Sequence, residues 1–128
     1  MLVARVVLTI QVIILFGLGL AYFVNPQPMA NVSGMLLMEA AAVTDVRAYY
    51  GGLQIGLAAF LGLALTRLDL TRSALTLMVL LYSALAVARL GGLWLDGGAG
   101  QTFNLYALLA EVVAGGLSFY ALRCLNRG

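Results

Sequence analysis

Four runs of about twenty apolar residues, each free of proline, limit what this chain can fold into. They cover residues 6–24, 45–66, 73–95 and 103–122. At about 1.5 Å per residue, each is long enough to cross a hydrocarbon core of roughly 30 Å as an α-helix. Inside lipid the backbone must satisfy its own hydrogen bonds, which leaves helices or closed barrels, and continuous apolar runs of this length are helical. The rest of the chain has too little polar surface to cover a water-facing globule. Of 128 residues, 63% are hydrophobic and 9% charged, whereas a soluble domain carries about 25% charged residues. The expected fold class is all-α: an integral-membrane antiparallel four-helix bundle, one domain over residues 1–128.

The first run exceeds the roughly 7–15-residue core of a secretory signal and no A-x-A pattern follows it, so it reads as a retained helix. Both prolines, Pro26 and Pro28, fall in the connection 25–44. The middle of that connection, 35–42, is rich in helix formers, and a short helix lying in the interface or tucked over the bundle mouth is expected there, with an ordered loop as the alternative. Residues 66–72 read as a tight turn and 96–100 as a glycine-rich break.

Arginine placement sets an orientation. Arg5, Arg67, Arg72, Arg123 and Arg127 lie on one side, and only Arg47 and Arg89 on the other. The positive-inside rule puts both termini and the 66–72 turn in the cytoplasm. Lysine is absent and Ala, Gly, Leu and Arg are abundant, a usage that suggests a GC-rich bacterial genome and hence the inner membrane. A lone cysteine, Cys124, excludes an internal disulfide and a Cys-clustered metal site. Absence of histidine removes imidazole catalysis and the commonest haem and transition-metal ligands. A formal charge of +2 is too small to suggest nucleic acid. No cofactor and no metal are expected.

Lipid gives helices no hydrophobic reason to associate, so small residues that allow close backbone approach mark packing faces. Ala48, Gly52 and Gly56 form one such stripe at four-residue spacing, with Ala58 and Gly62 a similar pair. Ala84, Ala88 and Gly92 form a second, and Ala110, Ala114 and Ser118, beside Gly115 and Gly116, a third. These faces serve packing within the chain or between subunits.

Charged residues inside a membrane cost roughly 2.5–3.5 kcal/mol each on insertion scales and need partners or a wet cavity. Arg89 and Glu111 fall at about equal depth, roughly 9 and 12 Å from the same end of adjacent antiparallel helices. They are expected to form a buried ion pair. Asp96 continues the Arg89 face toward the outer mouth. Asp45, Arg47, Tyr50 and Gln54 enter from the same side on the second helix, which collects the charges of the spans in their outer half. Asp45, Arg47, Tyr50, Gln54, Arg89, Asp96 and Glu111 are the candidate site. Two readings stand side by side: a network that fixes helix register, or one that lines a site for a small hydrophobic or amphipathic guest whose polar group meets Arg89 or Glu111.

One helix opens with Asp45-Val46-Arg47-Ala48-Tyr49-Tyr50-Gly51-Gly52, followed by Ala88-Arg89-Leu90-Gly91-Gly92, Asp96-Gly97 and Glu111. This pattern resembles a bacterial family of small four-helix membrane proteins known as domain of unknown function 4345. The resemblance runs from the second helix onward and implies four membrane helices without an assigned activity. A looser likeness to the DoxX-type membrane proteins rests on hydropathy alone. No complete catalytic set is present, so the first expectation is a non-enzymatic accessory subunit or ligand binder. Its partners would be the lipid bilayer, a larger membrane complex or a homo-oligomer, and a lipid or other hydrophobic small molecule. The alternative is a small proton-coupled transporter acting as a homo-oligomer, with Glu111 as its titrating carboxylate. A membrane enzyme with a divalent cation on Asp45, Asp96 and Glu111 ranks third, because two arginines share that cluster.

Overall fold

The computed structural model describes residues 1–97 and 100–127. Among these the chain is helical and contains no strand: α1 is Leu2–Val24, α2 Pro26–Val32, α3 Ala40–Thr66, α4 Leu68–Asp96 and α5 begins at Thr102. Four of them, all but α2, are long and apolar enough to cross a membrane. Their outward surface agrees with that solvent. Leu2 is 76% exposed, Ile13 67%, Leu80 64% and Val87 68%, a density of exposed apolar groups that water would not tolerate and lipid tails match. This is a membrane protein of four spanning helices.

Each span reaches further than its apolar run. α4 starts five residues before the predicted run at 73, so the expected turn at 66–72 contracts to Arg67 alone, in extended conformation (φ −117°, ψ 105°). Asp69 sits in the first turn of α4, where the positive end of the helix dipole favours an acid. It also pairs with Arg67 at 2.9 Å. Polar residues thus extend the helices into the headgroup region, beyond what hydropathy alone marks. The expected glycine-rich break at 96–100 falls partly on residues 98 and 99, outside the described residues. At its start Gly97 ends α4 with φ +76°, a conformation natural to glycine.

The connection after α1 corrects a sequence expectation. The short helix is not at 35–42 but at Pro26–Val32. Pro26 occupies its first turn, where the missing N–H costs nothing and φ is already helical. Gly34, at φ +85°, closes it: the Gly34 N–H donates to Asn31 O at 3.0 Å and the Met35 N–H to Ala30 O at 3.1 Å, the paired bonds of a Schellman ending. Residues 35–38 are non-helical and Ala40 onward belongs to α3. Helix propensity at 35–42 yields to these start and stop signals.

The chain divides into two compact units, Leu8–Thr66 and Met1–Val7 with Arg67–Gly128. In the first, α1 and α3 pack antiparallel through glycine. A Cβ on Gly19 would lie 2.9 Å from Gly51 O and 2.7 Å from Ile55 Cγ1; one on Gly51 would lie 3.1 Å from Gly19 O. The predicted stripe of Ala48, Gly52 and Gly56 is exposed instead, and Gly56 has nothing within 4 Å. Arg47–Gly52 is a π-helical turn within α3, and the buried positions across it, Val46 and Gly51, are five residues apart, as its wider turn requires.

In the second unit α4 and α5 pack antiparallel, with Tyr82 Cβ only 3.2 Å from where Gly115 would carry its own. Ser118 is buried and its Oγ donates to Ala114 O at 2.9 Å. Ala84 and Ala88 of the second predicted stripe are exposed. No buried side-chain polar atom among the described residues lacks a hydrogen-bond partner, as a dry interior demands.

Gly51→Leu is expected to cost about 1–3 kcal/mol through forced separation of α1 and α3, whereas Gly56→Leu should stay within about 0.5 kcal/mol. Reversible unfolding in mixed detergent checks both.

Candidate functional site

Arginine stays charged at any physiological pH, so a span that carries one must bring its partners. Arg89, on α4, is held by two charge-assisted bonds to Glu111 of α5. Nε donates to Oε1 at 2.8 Å and Nη2 to Oε2 at 2.7 Å, the bidentate fork that guanidinium and carboxylate geometry favours. Glu111 is 8% exposed as a residue, while the Arg89 side chain keeps 24%. The acid is the more deeply placed partner, and the guanidinium faces partly outward.

From Arg89 a chain of hydrogen bonds runs to the helix ends. Nη1 donates to Asn104 Oδ1 at 2.6 Å. That fixes the amide orientation, because Arg89 can only donate. Asn104 Nδ2 then donates to Gln101 Oε1 at 2.6 Å. Gln101 Nε2 reaches the carbonyls of Asp96 and Gly97 at 3.4 and 3.3 Å, two of the carbonyls that an α-helix leaves unsatisfied at its end. The polar side chains thus tie the C-terminus of α4 to the first turns of α5.

A cleft of about 300 Å³ opens over this chain. One face of α4 lines it with Leu85, Ala88, Arg89, Gly92, Leu93 and Asp96, and Gln101 and Asn104 complete the lining. Asp96 is exposed at the rim and forms no ion pair among the described residues. Aromatic side chains mark the level of this end: Trp94 is 87% exposed and Tyr106 70%, as in the interfacial belts where amphipathic rings meet headgroups.

The other four predicted site residues belong to the α1–α3 unit. Arg47 Nε donates to Phe23 O at 3.0 Å, and its guanidinium carbon lies 5.9 Å from the Phe23 ring centre. It serves as a basic cap for the C-terminus of α1, which has none of its own. Gln54 Nε2 donates to Tyr50 O at 2.8 Å within the π turn, where widened pitch displaces carbonyls from their usual partners. The Tyr50 ring packs edge-on against Tyr22, 5.1 Å between centres. Asp45 is exposed and, among the described residues, forms no ion pair. Arg47, Tyr50 and Gln54 are therefore engaged with backbone and rings of their own unit. No group of three or more His, Cys, Asp or Glu among the described residues is placed to hold a metal ion.

Sequence reasoning missed Asn104 and Gln101. A signal existed: Asn104 lies seven residues before Glu111, two turns along the same face of an apolar helix.

The family model for a domain of unknown function, number 4345, matches residues 3–122. The chain belongs to that family, and the match takes in the first helix, beyond the stretch from the second helix onward that the motifs had indicated. No curated protein and no solved structure matches it.

Removing one partner of a half-buried pair strands the other. Arg89→Leu or Glu111→Leu alone is expected to cost about 3–5 kcal/mol, and the Arg89→Leu/Glu111→Leu double variant to recover most of it. A double-mutant cycle in detergent measures the coupling.

Proposed function

We propose that this family member is a small, non-enzymatic multi-pass protein of a bacterial inner membrane that binds a small hydrophobic or amphipathic molecule in the α4–α5 cleft. The observation that carries the proposal is the cleft itself: about 300 Å³ lined by both polar and apolar side chains, the mixed lining typical of sites for small amphipathic ligands. Trp94 and Tyr106, exposed near the same helix ends in sequence, support a level where the head of an amphiphile resides. Proton coupling through Glu111 has less support, since both carboxylate oxygens are bound to a guanidinium that does not give up its charge. An accessory role beside a second copy or a larger membrane complex is the other reading. The exposed small-residue face of Ala48, Gly52 and Gly56 favours it, because such a face lets the backbone of a partner helix approach closely.

Native mass spectrometry of protein extracted in mild detergent tests the binding proposal. The wild type should retain a lipid-soluble molecule that Ala88→Phe, which fills the cleft, loses without change in helicity. A wild type that is monodisperse, ligand-free and partnerless would sink it.

The proposed orientation puts both termini in the cytoplasm, from five arginines on one side against two on the other. Cys124 is the lone thiol of the chain and near its C-terminus. A membrane-impermeant maleimide should label it in inverted vesicles and not in right-side-out ones; the opposite pattern reverses the topology.

A further inference from the structure

On the reading of the α4–α5 cleft as a binding site, we infer that its occupant carries a positively charged head group, an alkylammonium-type amphiphile rather than an anionic or neutral one. The guanidinium, which by composition alone would attract an anion, already answers to Glu111 through two bonds and to Asn104 through a third. Asn104 and Gln101 take part in the same chain, and the Gln101 amide is turned toward the terminal carbonyls of α4. The charged group of the cleft lining that has no ion pair among the described residues is therefore the Asp96 carboxylate. The opposed helix ends, the C-terminus of α4 and the N-terminus of α5, carry partial charges of about half a unit and opposite sign that largely cancel. Of the charged residues on the two helices near the cleft, Arg89 and Glu111 neutralise each other, which leaves Asp96 uncompensated. The C-terminal turn of α4 holds no basic residue to answer it.

Geometry gives the guest an orientation. Asp96 is at the rim, two residues from the interfacial Trp94, while Leu85 lies eleven residues deeper, roughly 16 Å along the helix. A cationic head would sit against Asp96 at the headgroup level, and its hydrocarbon tail would run past Leu93 and Ala88 toward Leu85. A cation near an exposed carboxylate keeps much of its hydration, whereas an anion there would meet like charge.

The test uses the full chain in nanodiscs of zwitterionic lipid, titrated at neutral pH with octylammonium, octanol and octanoate. Trp94, the single tryptophan, reports by fluorescence, and empty nanodiscs correct for partitioning. Octylammonium is expected to bind saturably and at least about tenfold tighter than octanoate. Asp96→Asn should erase that preference while leaving octanol binding unchanged. Because Asp96 is exposed, the variant should keep its fold, which circular dichroism verifies. Equal or tighter octanoate binding, or a preference that survives Asp96→Asn, overturns the cationic assignment and leaves the cleft as a binding site. If none of the three binds saturably, and Ala88→Phe behaves as the wild type, the binding reading falls and the cationic assignment with it.

Discussion

A guanidinium that cannot be deprotonated sits inside a helix that would otherwise enter lipid unopposed, and the α4–α5 pair is organised around that fact. Arg89 needs a counter-charge at matched depth, and Glu111 supplies both carboxylate oxygens at 2.7–2.8 Å. Its third contact orients Asn104, which orients Gln101, which reaches the loose carbonyls where α4 ends. A charge buried at one level is thereby linked to the satisfaction of backbone groups at another. The close approach of Tyr82 to Gly115 deeper along the same helix pair supplies packing that the ionic pair alone does not. Replacing a buried pair by apolar residues is often neutral for stability, so the arrangement is better understood as fixing which faces of α4 and α5 meet.

The α1–α3 pair reaches the same end without an ion pair. Here contact depends on two glycines, Gly19 and Gly51, whose missing side chains let one backbone lie against the other. Gly51 reaches that position because α3 widens into a π turn, and the cost of that turn is offset locally by the Gln54 amide on the Tyr50 carbonyl. Arg47 crosses to the end of α1 and supplies the basic group its last turn lacks. Polar side chains in this unit hold backbone in place; in the other unit they also leave an open cleft.

That difference is what directs the functional proposal to α4 and α5. Asp96, Gln101 and Asn104 line a space of about 300 Å³ together with Leu85 and Leu93, and Asp96 is the charge there without an ion pair among the described residues. The family carries no assigned activity, so the sign of the uncompensated charge is the most specific chemical statement the site makes.

Hydropathy determined the four spanning helices without any knowledge of packing, because length and apolarity are local properties set against a bilayer of known thickness. Arg89 and Glu111 were also legible: an intramembrane charge must have a partner, and only one acid lay at its depth. The short helix at Pro26–Val32 was legible in principle through Pro26 and Gly34, yet the propensity of 35–42 hid it. Tertiary structure alone decided the rest. The π turn puts Gly51, five residues after buried Val46, on the face toward α1, since a change of helical pitch depends on what the neighbouring helix accepts and leaves no mark in residue spacing. It also decided that Arg89 has an ion-pair partner while Asp96 has none among the described residues, because the meeting of a guanidinium and a carboxylate is a matter of ångströms between helices rather than of composition.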